Sequence, residues 1–485
     1  MVTTLAMIIL AGLILQALIG MAFFISSIFE REKRATILGG IQLSGMIFLA
    51  LGFLYLYLNG LFNSGPGGIS LFLLFCLGLG GVIFFFRSTR PNEKALKGAK
   101  GYVVGEAGRF DERDHVFARN RSLLPGSEQY AAYYRDHPEW EDMDAKRREK
   151  GGPTGRPGSI DSPNADANVA GTLASASLSH YLSEPDKYSP EPHIALREKV
   201  TRKKVEMGLD EATTRIKGYA KALGASLVGV TKINPLWVYS HRGEIFNNNW
   251  EDWGKTIHVH HGYAIVCVEE MNKNMVGSAP HTPTCLESMI NYAKGSYITT
   301  QLAGYIANMG YSATANHFRH YDTILPPLAA DAGLGEVGRL GYLITKKYGP
   351  RVRLSIVTTD LELTEDKPVD IGVEDFCKIC KKCAVCCPSK SIPHEEMTVE
   401  RGLLRWKLDA QSCFEYWGKI GTDCNVCMNV CPWSHADTIP HQIIKTLITR
   451  NQYARKLFNL MDDIFYGKKP KPKSPEKWAQ FGTWK

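Results

Sequence analysis

Nine of the twelve cysteines fall between Cys377 and Cys431, and their spacing constrains this chain more than any other feature. Cys377-x2-Cys380-x2-Cys383-x3-Cys387-Pro388 is followed by Cys424-x2-Cys427-x3-Cys431-Pro432. Each iron of a cubane iron–sulfur cluster takes one thiolate, so a cluster needs four. A C-x2-C-x2-C loop wraps three corners, and the cysteine before proline points away and ligates the second cluster of a pair. The second run is one ligand short at that spacing, and Cys413 upstream is the candidate to complete it. The pattern predicts one 4Fe–4S cluster on Cys377, Cys380, Cys383 and Cys431, and a second on Cys387, Cys413, Cys424 and Cys427. Cys386 is a spare thiol that competes with Cys387, and Pro388 favours Cys387. Zinc prefers two C-x2-C pairs. Cys76, Cys267 and Cys285 are scattered, so there is no disulfide framework.

Residues 2–29, 36–63 and 69–86 carry no charge and are long enough to cross a bilayer. The first has no basic start and exceeds a signal-peptide core, so it is expected to stay on the chain. No twin-arginine export motif is present. The connection between the first two spans holds Arg31, Lys33 and Arg34, the next holds no base, and Arg87, Arg90, Lys94, Lys97 and Lys100 follow the third. Positive residues stay inside, which predicts a multi-pass inner-membrane protein with its N-terminus outside and everything after Phe86 in the cytoplasm. The net charge of +8 is most conspicuous beside the spans. That favours a membrane-lipid surface over nucleic acid, for which no aromatic-interleaved basic patch exists.

Residues 88–190 read as connector and irregular cap: 141–150 is a charge run suited to a solvated helical face, and 151–175 is Gly/Pro/Ser/Ala-rich. From 191 to 370 an α/β domain is expected, with helices over 196–222 and 285–309 and strands at 227–233, 262–268 and 353–359. Residues 371–440 read as the cluster domain and 441–485 as a C-terminal extension. Gly333-x-Gly335-x-x-Gly338 matches a dinucleotide fingerprint, but no clean strand leads into it. His258, His260 and His261 directly precede a strand without carboxylate partners, so they are read as surface or core residues rather than metal ligands.

The run 331–370, followed by FCKICKKCAVCCPSKSI and, near the end, FYGKKPKPKSPEKW, resembles the reductive dehalogenases over residues 190–485. The resemblance implies a nitroreductase-like corrinoid-binding core with a ferredoxin-like domain, a base-off cobamide and two 4Fe–4S clusters. It also implies replacement of a carbon-bound halogen by hydrogen. The family's YGPxVR arginine matches Arg353, which there sits beside a catalytic tyrosine and favours phenolate. Tyr297 is the expected proton donor, with Tyr292 and then Tyr305 as alternatives. His320 falls near a residue that shapes the substrate pocket, although some members have Asn there. The chain lacks a DxHxxG motif, so no histidine of that motif would bind cobalt. The expected partners are an organohalide, membrane lipid and an electron donor such as quinol or a reduced redox protein, and a homo-oligomer is compatible. Typical respiratory members carry a twin-arginine signal and a separate anchor, whereas here the spans are fused to the enzyme. The competing readings are a membrane-anchored ferredoxin-type subunit and an epoxyqueuosine-reductase-like corrinoid enzyme.

Overall fold

The computed structural model describes residues 2–153, 165–183, 204–245, 250–318 and 320–480. The chain divides into two compact units, one of Met1–Pro91, Asp375–Cys380 and His435–Pro470, the other of Asn92–Glu374, Lys381–Ser434 and Lys471–Lys485.

In the first unit, α1 (Val2–Phe29), α2 (Lys33–Leu58) and α3 (Gly65–Phe86) are each long and apolar enough to cross a membrane. A helix is what such segments must form, because lipid offers nothing to a backbone amide. Leu15, Phe48 and Leu77 are exposed, as side chains facing lipid would be. Small residues let α1 and α2 approach: a Cβ on Gly20 would lie 3.2 Å from Met46, and one on Gly39 would lie 3.2 Å from Phe23. The α1–α2 turn and the exit of α3 lie at the same end of the bundle, both against the helices Ile439–Arg450 and Gln452–Phe465. Arg34 Nε donates to the Ile464 carbonyl at 2.7 Å, Thr89 N to the Arg450 carbonyl at 2.8 Å, and Asn451 Nδ2 to the Phe84 carbonyl at 2.7 Å. The bases of the first turn and Arg87, at the end of α3, therefore share one end of the bundle.

The second unit holds α4 (Ala165–Ser183), α5 (Leu209–Ala222) and a four-stranded sheet of β1 (Leu227–Lys232), β2 (Tyr263–Glu270), β3 (Ala313–Asn316) and β4 (Val352–Thr359). The strand order is β1-β2-β4-β3, and every pair is antiparallel. A parallel α/β sheet does not form, because among the described residues between β1 and β2 there is no α-helix to make a crossover. The one long crossover is α6 (Thr282–Asn308), which joins β2 to β3. These two run parallel, with β4 inserted antiparallel between them.

The helix expected over 196–222 is seen from Leu209, with 196–203 outside the described residues. It ends before Gly224, whose φ of 110° suits the residue after a helix end. Of the stretch expected to be irregular, 154–164 lies outside the described residues, as does the boundary at 190, and 165–175 is corrected to helix. Its Ala, Ser and Gly residues are what a close helix pair needs. A Cβ on Gly171 would come 3.0 Å from Leu286, Ser179 Oγ lies 2.6 Å from Ser296 Oγ, and Asn168 Nδ2 donates to Thr282 Oγ1 at 3.1 Å. Gly295 does the same for α6 against the sheet, where a Cβ would meet Ser355 at 3.1 Å.

Candidate active site

Arg353 stands on β4, buried beneath α6, and draws the site together. Its Nη2 donates to Ser288 Oγ at 2.6 Å and to Asp423 Oδ2 at 3.3 Å, and its Cζ lies 5.1 Å from the ring centre of Tyr292. Burial alone would weaken its charge, but Tyr292, Asp423, Tyr342 and Tyr321 around it outweigh that and hold it protonated. Ser288 also donates to Asp423, and Asn425 Nδ2 donates to Ser288 Oγ at 2.9 Å and Asp423 Oδ1 at 2.8 Å. The guanidinium is thus fastened to the two residues that flank Cys424.

The helix period decides which tyrosine meets it. Ser288 and Tyr292 are four residues apart and share a face of α6. Tyr297 is nine residues from Ser288, which turns it to the opposite side, and it is 44% exposed. The expected placement of Tyr297 beside Arg353 is therefore corrected: the structure brings Tyr292 there. Tyr305 packs on Tyr219 in the core, at 4.5 Å between ring centres. His320 is half-buried, and its turn pairs its backbone with His317. That turn carries Phe318, which stacks on Tyr292 at 4.6 Å. His317 was missed at the sequence level because nothing in its neighbourhood marks it. It is fully buried, both its ring nitrogens lack protein partners, and burial pushes it down to about 3, leaving the imidazole neutral.

Behind Arg353, Cys387, Cys413, Cys424 and Cys427 line one cavity together with Tyr342 and Trp417. All four are free thiols, and Cys387, not its neighbour Cys386, faces the space. Cys424 and Asn425 have φ of 65° and 52°, a left-handed kink that turns the loop around the cavity. Burial pushes Cys413 and Cys424 up to about 12, and neighbouring thiols add to the shift. A cationic metal core is what lets such thiols ionise together, and four cysteines are the complement of one cubane cluster. Of the other predicted set, Cys377 is buried and Cys380 half-buried on the helix Val373–Cys380, while Cys383 and Cys431 are buried in the second unit.

Glu336–Val337 pairs with Leu343–Ile344 and no helix follows Gly338, so the glycine run is a hairpin. His261 is spent on Thr358 Oγ1 and Ser312 Oγ, both at 2.8 Å.

On β2, directly opposite Arg353 in the ladder, Glu269 is fully buried. It accepts from Ser355 Oγ at 3.0 Å, and its Oε2 has no partner. Burial raises it to about 8. The folded protein therefore holds a proton that the unfolded chain releases at ordinary carboxyl pH. Its contribution to stability is complete in acid, falls by ~1.4 kcal/mol per pH unit as pH rises toward 8, and then levels off. Glu269→Gln, neutral throughout, should flatten the dependence of melting temperature on pH between 5 and ~8 and melt above the parent at pH ~8. An unchanged slope would place the proton elsewhere.

No family model matches the chain. It is 32% identical over 292 residues to the tetrachloroethene reductive dehalogenase of Sulfurospirillum multivorans, covering 53% of this chain and 58% of that one. It is 31% identical over 296 residues to that of Desulfitobacterium hafniense, covering 52% and 53%. Over these stretches the chain is similar to reductive dehalogenases. It spans little more than half the length of these curated relatives. The fold agrees: a catabolic reductive dehalogenase, NpRdhA, superposes with a TM-score of 0.58 at 24% identity over 76% of this chain and 48% of its own. A reductive dehalogenase whose structure suggests a mechanism for B12-dependent dehalogenation superposes with a TM-score of 0.58 at 22% identity, covering 79% and 53%. The homology also reaches the epoxyqueuosine reductase of Lactococcus garvieae, 35% identical over 112 residues but covering only 22% of this chain and 31% of that one.

Proposed function

We propose that the chain is a membrane-anchored oxidoreductase that replaces a carbon-bound halogen of an organohalide with hydrogen, its core nitroreductase-like and its cluster domain ferredoxin-like. The observation that carries this reading is Arg353, held at once to Tyr292 and to the loop around Cys424. A pure electron relay has no use for a buried arginine–tyrosine pair beside its cluster.

The balance is R–X plus two electrons and one proton giving R–H and X⁻. Two 4Fe–4S clusters on the two cysteine sets would supply the electrons singly. A base-off cobamide fits the face beside Tyr292. There His317 and the Nε of Arg353 are buried polar groups without protein partners, of the kind that the amide-bearing rim of a corrin can satisfy. When bound, it supplies the reductive cleavage of the carbon–halogen bond. Tyr292 gives the proton, and Arg353 stabilises the phenolate left behind. Phe318, and His320 in the same turn, shape the substrate side. The three helices anchor the enzyme in the inner membrane. The bases of the first turn and Arg87 lie at one end of the bundle, and the bias of positive residues toward the inside supports a cytoplasmic exit of the chain after α3; the donor proposed is quinol or a reduced redox protein.

The test is the full chain in detergent, reconstituted with clusters and cobamide, given a panel of organohalides and a reduced viologen. Halide should appear in proportion to electrons consumed, at one halide per two. No halide from any substrate, or halide release that does not need cobamide, would overturn the reading.

A further inference from the structure

The described residues contain one group of His, Cys, Asp or Glu side chains, outside the cysteine runs, arranged to hold a metal ion. It lies in the first unit and no motif announces it. Glu30, at the end of α1, meets His435 and His441, with one ligand atom from each within 4.8 Å of the others. Glu30 and His441 are buried, at 6% and 3% exposure, and His435 is partly so. Glu30 Oε1 lies 3.5 Å from His441 Nδ1, and the two imidazoles stack at 5.0 Å.

What surrounds the three ligands is the arrangement that metal-binding histidines show. The second ring nitrogen of such a histidine is fixed by a carboxylate or hydroxyl, which sets the tautomer and aims the ring. His435 Nε2 lies 2.6 Å from Asp462 Oδ1, and His441 Nε2 lies 2.9 Å from the Tyr466 hydroxyl. Ser26 Oγ donates to Glu30 Oε1 at 2.6 Å and reaches Thr438 Oγ1 at 3.0 Å, so the carboxylate is oriented too. Thr438 Oγ1 also sits 2.8 Å from His441 Nδ1, a contact that a metal at that nitrogen would displace. Charge argues the same way. Glu30 and Asp462 bring two carboxylates, and the buried Lys445 Nζ, on the His435 carbonyl at 3.3 Å, offsets one of them, so two carboxylates face one protein ammonium beside imidazoles that ligate as neutral groups.

We propose that Glu30, His435 and His441 bind one divalent transition-metal ion, zinc in the first instance. Two imidazoles and a carboxylate are a zinc ligand set with one position left open, and the same trio takes ferrous iron. The ion would staple the segment that begins at His435, three residues past Pro432, to the end of the first apolar helix. The proposal is independent of the reading of the active site.

The test uses the full chain purified in detergent. Elemental analysis should find about one zinc per chain, or iron beyond the clusters' complement, taken up from solution if lost in purification. Glu30→Gln, close to isosteric, and His441→Ala should each lower that metal to background while cluster absorbance stays. The zinc absorption edge should show only nitrogen and oxygen neighbours near ~2.0–2.1 Å. A chain that takes up neither metal on titration overturns the proposal. So does bound zinc with sulfur neighbours near ~2.3 Å, which would place it in the cysteine loops, or metal content that both variants leave unchanged. If a variant does not fold, the absorption edge of the parent decides alone.

Discussion

On the proposed function, Tyr292→Phe is expected to lower halide release by ~10²–10⁴-fold, the range for losing a positioned proton donor, while the cluster and corrinoid content of the reconstituted chain stays that of the parent. The substitution removes one hydroxyl and leaves the ring that stacks on Phe318 at 4.6 Å, so neither fold nor cofactor content has reason to change. Tyr297→Phe, on the exposed side of α6, serves as the control and leaves the rate within a factor of about two, as surface changes do. The measurement is single-turnover halide release with cofactor absorbance recorded on the same samples. Loss in Tyr297→Phe with retention in Tyr292→Phe would return the proton to the tyrosine first expected from the sequence.

Arg353→Met removes a charge from a site where Asp423 stays behind. Arg353 is 8% and Asp423 5% exposed in this ion pair, and breaking a buried pair from one side costs about 3–5 kcal/mol, because the remaining charge is left uncompensated. The single variant therefore melts well below the parent. The double variant Arg353→Met with Asp423→Asn recovers much of the loss, since no lone charge then remains. If Tyr292 is the proton donor as proposed, halide release is expected to stay low in both, because its phenolate has lost its counter-charge. A double variant no more stable than the single one would show that Arg353 stabilises through packing and not through Asp423.

Cysteine spacing is local along the chain, so the loop at 424–427 could be read directly. Likewise the choice of Cys387 over Cys386 followed from Pro388, and the cavity is lined by Cys387. The three apolar spans were equally plain, because a bilayer demands length and an absence of charge, which composition reports. The family's arginine could be placed at Arg353 because its motif is contiguous.

Other features depended on distances that the sequence does not contain. Four residues separate Tyr292 from Tyr297, and only the angular phase of α6 over β4 decides which one faces Arg353. The sheet's direction depended on how the chain returns between strands, which alternation of helix and strand signals does not state. The helix at 165–183 looked like a loop because small residues suit both a flexible linker and a close helix contact, and only the neighbour, α6, tells them apart. Glu30 stands more than four hundred residues from His435 and His441, whereas of the histidines adjacent in the chain at 258–261, His261 is held by the hydroxyls of Thr358 and Ser312. Chemistry carried by neighbours in the chain is written in the sequence. Chemistry assembled from distant segments exists only once burial and helix phase have brought those segments together.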